Sequence, residues 1–168
     1  MNIFCFPSES VNHVCAAYGV RQWAANSSVI ADGFRAQLVT KMSQVQRGDL
    51  GFLYCTEDKK FHLPFTIDSL PCPQVQYSPI WNSEWIGQFS FIPWLGFLDK
   101  GLPIDEVEEV MPTIKQRIES RPQTESGRAT AWSNYLRFSG VEVFNPQPHM
   151  TLDDFARMVI YLQLVGVG

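Results

Sequence analysis

Hydrophobic and polar positions along the chain follow two rhythms, and the switches between them mark the elements. NIFCF, residues 2–6, is an apolar run of strand length, closed by Pro7 and the Ser-Glu-Ser turn after it. From Val11 to about Trp23 the spacing becomes helical: Val11, Val14, Cys15 and Tyr18 share a face, with Ser10 as N-cap and Gly19 as stop. Ile30, Phe34, Leu38 and Met42 predict a second helix over Val29 to Met42. Gly48-Asp49 turns the chain into the apolar strand LGFLYCT, and Lys59-Lys60 turns it back into FHLPFTI, whose Pro64 argues for an edge or a bulge. Ser69 to Tyr77 is rich in proline and polar residues and reads as a loop. Gln88 to Leu95 is a further strand, and Leu98 to Pro103 a turn. Ile104 to Arg121 is helical in part, interrupted at Pro112, and residues 121–130 form an exposed loop. Thr151 with Asp153 and Asp154 opens a last helix through Leu152, Phe155, Val159 and Leu162, because acid in the first turn suits the helix dipole.

Strands clustered in the middle with helices around them indicate an α+β fold, a small curled sheet or barrel flanked by helices, and not the alternation of an α/β chain. At 168 residues the length suits one domain over 1–168. The VGVG ending directly after a helix suggests a domain excised from a larger protein. The apolar fraction of 45% and charged fraction of 18% are those of a soluble globular protein. The formal net charge of −4 excludes a global basic field, so any nucleic-acid contact rests on a local basic face. The N-terminus has neither the basic nor the apolar region of a signal peptide, and no apolar run approaches a bilayer span, so no membrane partner is expected. Cys5, Cys15, Cys55 and Cys72 include no C-x-x-C pair; they read as reduced thiols of a cytoplasmic protein. His13, His62 and His149 are not spaced with them as zinc ligands, so neither metal nor cofactor is expected.

Serine, cysteine, histidine and acid are all present, but without G-x-S-x-G, H-E-x-x-H or a Gly-rich phosphate loop, so no catalytic residue is assigned. The aromatic residues are more informative. Trp94 follows FSFIP and continues into Leu95, as a core residue does, and Trp132 is placed on a helix face with Leu136. Trp23 stands among Arg21, Gln22 and Asn26, while Trp81 and Trp85 flank the polar Asn82-Ser83-Glu84. Tryptophans in such company are placed to receive a flat ligand.

These residues resemble the YTH domain, a reader of N6-methyladenine within the PUA-like superfamily that also holds EVE and ASCH domains. The likeness runs from Ile3 to about Pro103. IFCFPSES resembles the opening strand and Lys-Ser turn of the family, with Pro7 at the lysine position. Trp23 arrives at the family spacing after a helix ending in YGV, and Phe34-Arg35 resembles an aromatic–Arg pair after a shortened interval. LGFLYCT is similar to the central strand. IWNSEWIGQFSFIPWL resembles a W-x(4)-W-x-G-x-F stretch in which the first two tryptophans stand one residue closer together here. RGDLGFLY is similar to the Gly-Asp turn of EVE and related prokaryotic domains.

The resemblance implies a methylated base held in an aromatic cage: Trp23 and Trp81 as walls, Trp85 as a third, and Asn12 or His13 reading the base edge. It implies partly exposed Trp23 and Trp81 facing one concavity. The divergent final third suggests a prokaryotic relative, like the reader domains of McrB-type modification-dependent restriction systems. Its target would be methylated DNA (or RNA), and a fused or associated NTPase or nuclease would supply catalysis. Physically, stacking contributes roughly 1–3 kcal/mol per base and burying the methyl about 0.8 kcal/mol, so discrimination also needs hydrogen bonds to the base edge. An asparagine amide matches that of adenine. Phosphate contacts are expected from Arg21, Arg35, Lys41, Arg47, Arg121 and Arg128, each of which serves equally as a solvated surface charge. Two other readings stand beside this one. One is an ASCH-like RNA-binding or ribonuclease domain, or a 5-methylcytosine reader of the EVE type. The other is an interaction domain with every tryptophan buried.

Overall fold

The computed structural model describes residues 1–26, 39–40, 42–79, 82–96, 100–111, 142–144 and 151–167. The second predicted helix lies largely outside them, as do the 121–130 loop and Trp132. In chain order the described elements are β1 (Ile3–Ser8), α1 (Val11–Val20), β2 (Gln22–Asn26), β3 (Leu50–Cys55), β4 (Lys60–Ile67), β5 (Gln76–Ser78), β6 (Ser83–Pro93) and β7 (Leu102–Pro103). A 3-10 turn (Ile104–Glu106), α2 (Val107–Val110), β8 (Glu142–Phe144) and α3 (Leu152–Val167) follow. Among the described residues the strands form one curled, half-barrel mixed sheet in the order β2-β6-β4-β3-β1-β8, with β5 added to β6 and β7 to β4. β1 and β3 are parallel, Ile3 opposite Leu50 and Ser8 opposite Cys55, and the other pairings are antiparallel.

Apolar residues on both faces of the central strands explain why β1 and β3 read as continuous apolar runs. One face of the sheet sends Ile3, Cys5, Leu50, Phe52 and Phe61 against Phe155, Met158 and Leu162 of α3. The other sends Phe4, Phe6, Leu53, Phe65, Phe89 and Phe91 into a second core with Val14 and Ala17 of α1. Alternation along β1, with Phe4 and Phe6 one way and Ile3 and Cys5 the other, serves both cores.

Local chemistry sets the boundaries. The Ser10 hydroxyl accepts the His13 N–H at 3.1 Å and starts α1. The helix runs past Gly19 to Arg21, which takes the left-handed conformation at φ 59° and returns its N–H to Ala17. Thr151 and Asp154 cap α3 reciprocally, each backbone N–H meeting the other's side-chain oxygen at 3.2 Å.

Pro7 lies inside β1 instead of closing it. Among the described residues the pairing with β8 covers Ile3 to Cys5, so Pro7 there has a sheet neighbour on the β3 side alone, where a missing N–H is tolerated. Pro64 lies within β4, which has β3 on one side and β6 on the other, so it marks a bulge and not an edge. The register slips opposite it, and Leu63 takes φ 53°. Gly51 is needed there, because an added Cβ would stand 2.5 Å from the Phe65 ring. β6 begins at Ser83, earlier than predicted, and Ser69 to Tyr77 is not all loop, since Gln76 and Tyr77 pair with it. Trp94 is not core. It is 52% exposed, its indole N–H donates to the Thr66 hydroxyl at 2.8 Å, and its ring meets Phe155 edge-on at 5.5 Å. Pro93 ends the strand just before it, and Leu95 turns inward in its place.

Candidate nucleic-acid interface

The first turn of α1 and the start of β6 meet at one end of the curled sheet. Trp85 sits in β6 between two neighbours, paired with Asn26 of β2 on one side and Gln76 of β5 on the other. The His13 ring stands at 89° to the indole with 6.3 Å between centroids. The Trp85 indole N–H is buried and has no hydrogen-bond partner among the described residues. Asn12, next to His13, is exposed. His13 and Trp85 are therefore the predicted base-site residues that the structure brings together.

A bulge sets this arrangement. Between Trp23–Phe89 and Ala25–Ile86 the β2–β6 register slips, and Gly87 takes φ 73°, a conformation open to glycine. The slip turns both Ile86 and Phe89 into the inner core despite their odd spacing, and it leaves Trp85 at the rim next to α1. Asn82, at φ 47°, accepts a hydrogen bond from the Tyr77 hydroxyl and fixes the entry to β6 from across the hairpin. Tyr77 is 61% exposed, beside the same rim. Sequence reasoning missed it because it sits in a stretch read as loop.

Trp23 departs from expectation. It is a strand residue of β2, 7% exposed, packed on Phe6 and Phe89 at 4.9 and 5.8 Å between centroids. Its indole N–H donates to the Pro7 carbonyl at 3.2 Å. An indole satisfied at nitrogen and covered by two phenylalanines is a core residue, not a partly exposed wall. Trp81, Arg35, Lys41, Arg121 and Arg128 lie outside the described residues.

Arg21 and Arg47 do not approach Trp85. Arg21 caps the far end of α1, eight residues and about 12 Å of helix rise beyond His13, with its guanidinium 4.1 Å above the Tyr18 ring. Arg47 reaches Asp68 at 3.4 Å. Asp68 is tied through its N–H to Ser90, which pairs with Gln22, so both arginines share the end opposite the start of α1.

Other polar clusters are structural. The His62 imidazole meets the Asp58 carboxylate at 2.8 Å beneath Gly101, where an added Cβ would be 2.5 Å from the ring. Burial pushes the Cys55 thiol above its ordinary range, which leaves it a poor nucleophile. Among the described residues no group of three His, Cys, Asp or Glu side chains is placed to hold a metal ion. No described helix is long and apolar enough to cross a membrane.

No protein-family model matches the chain, and no curated protein matches it by sequence. Solved structures do match in fold. The Mmi1 YTH domain superposes with a TM-score of 0.56 at 10% identity, covering 99% of this chain and 98% of that one. A complex of Mmi1 with RNA gives 0.54 at 10% identity over 98% and 86%. The Toxoplasma CPSF4-YTH domain in its apo form gives 0.53 at 15% identity over 95% and 85%. The chain thus has a YTH-like fold.

Proposed function

We propose that this chain, a YTH-like fold with His13 and Trp85 converging at one rim, is a nucleic-acid-binding module that takes a flipped-out methylated base there. The convergence of those two rings is the observation that carries the reading. A base removed from its stack offers a π face and an edge, and the rim offers aromatic surface beside polar Asn12 and Gln76. N6-methyladenine is the favoured mark, through the resemblance of the Trp81–Trp85 stretch to the YTH pattern. Trp81 supplies a stacking wall in this reading. Trp23 takes no part in stacking, since its ring is buried in the aromatic core. The module binds and does not catalyse; an associated NTPase or nuclease would act on what it marks.

RNA is the first polynucleotide to test, because the Mmi1 complex holds RNA. Methylated DNA, with a restriction or defence role, is the second arm. Labelled oligonucleotides carrying N6-methyladenine, 5-methylcytosine or no mark, as RNA and as single- and double-stranded DNA, are titrated at fixed salt against wild type and Trp81→Ala. A preference for one mark that disappears in the variant is the expected result. Equal, weak binding to every oligonucleotide, unchanged by the substitution, overturns the reading.

A further inference from the structure

Buried donors without partners are rare in folded proteins, and each one carries the full cost of its lost hydration. The Trp85 indole N–H is such a donor. Trp23 and Trp94 set the contrast, since their indoles donate to the Pro7 carbonyl and the Thr66 hydroxyl. The unmet donor also sits at the rim where α1, β2, β5 and β6 meet, on a backbone paired from both sides through Asn26 and Gln76. A ladder of this kind fixes the Cα–Cβ direction of Trp85, and the edge contact with the His13 ring narrows the rotamers open to the indole.

From this we infer that the Trp85 indole N–H is a specificity-determining donor that reads a ring-nitrogen acceptor on the edge of the bound base. The inference rests on the reading of this rim as a base site. It assigns Trp85 a role other than a flat wall: the His13 ring already makes a perpendicular contact with it. The ligand class follows from the chemistry of the donor. An indole N–H only donates, so it selects a heteroaromatic base with an unprotonated nitrogen there and rejects one with an N–H or C–H in that place. The donor has no hydrogen-bond partner among the described residues of the free protein, so the bond to the base, made as the rim opens to admit it, replaces none among them. The usual offset that makes hydrogen bonds weak is therefore missing on the protein side.

The test uses the full chain and RNA oligonucleotides with a single N6-methyladenosine, compared with their 1-deaza, 3-deaza and 7-deaza analogues. Each analogue replaces one acceptor nitrogen by C–H. Wild type is expected to lose roughly tenfold in affinity on one analogue alone, a change of about 1.4 kcal/mol. Trp85→Phe, folded by circular dichroism, is expected to lose the same factor on the parent RNA and nothing further on that analogue. In the wild-type protein the Trp85 indole proton resonance is expected to move downfield on binding the parent RNA. Full binding with no single deaza analogue weakened, or an unmoved Trp85 resonance, overturns the inference while leaving the base site standing. Absence of binding to any methylated oligonucleotide overturns the base site itself. If Trp85→Phe does not fold, the deaza series and the wild-type resonance still decide.

Discussion

The Trp23 indole N–H is bonded to the Pro7 carbonyl, so the C-terminal end of β1 and the start of β2 are fastened together inside the aromatic core. Trp23→Ala removes that bond and the packing on Phe6 and Phe89. A cost of about 3–5 kcal/mol is expected from the cavity. Trp94→Ala, at a half-exposed position, is expected to cost about 1–2 kcal/mol. Urea denaturation of the two variants, with acrylamide quenching of the remaining tryptophans, checks the order; a Trp23 variant as stable as wild type would return Trp23 to the surface.

Asp49 is a buried carboxylate that holds two strand beginnings together. Its oxygens accept the Asn2 N–H at 3.0 Å and the Gln46 N–H at 2.8 Å. Asp49→Ala leaves both N–H groups unpaired, and a loss of about 2–3 kcal/mol is expected. Asp49→Asn keeps one acceptor and should lose less, which thermal melts of the pair would show.

Arg47 lies at the opposite end from Trp85 and is occupied by Asp68. Arg47→Ala should leave oligonucleotide affinity within about twofold of wild type and the salt slope unchanged. A slope reduced by about one unit would instead place Arg47 on the phosphate path.

Alkaline stability should depend on Tyr161, whose hydroxyl is pushed up to about 12 by desolvation first and then by its hydrogen bond to Glu106. Below pH 10 the phenol is neutral in both folded and unfolded chains, and its contribution is complete. Between pH 10 and 12 the unfolded chain ionises while the folded one does not, so stability falls. Tyr54, also raised chiefly by burial, acts in the same direction. Tyr161→Phe should flatten the decline in melting temperature over that window, and an identical decline in both proteins would exclude the linkage.

Local signals located the elements well. The Ser10 cap, the Thr151–Asp154 box and the Gly48-Asp49 turn act over a few residues, and each stands where its chemistry required. Tertiary signals were hidden. Arg21, Gln22 and Asn26 made Trp23 look like a loop residue, but they belong to a cap and a half-exposed strand whose inner face is covered by Phe6 and Phe89. Alternation through Ile92 and Pro93 could not reveal that Trp94 is turned outward to Thr66. The slip at Gly87 reverses the parity of β6, so the strand period alone misplaces what lies before it. At the candidate rim, Trp85 and its Trp-rich setting were legible. Its contact with His13 was not, because that depends on where the start of α1 is seated against the sheet.

The place of β1 has a bearing on how the chain is made. β1 leaves the ribosome before both of its sheet neighbours, β3 and β8, and the pairing of Cys5 with Glu142 waits until residue 142 is made. At a synthesis rate of roughly 5–20 residues per second, the open side of β1 is unpaired for many seconds. During that interval it is an apolar sheet edge, the kind of surface on which one nascent chain templates another. Pro7 tempers it, since a residue without an N–H extends no ladder. Truncations that remove residues 142–144 make that passing exposure permanent, and they should aggregate more than the full chain.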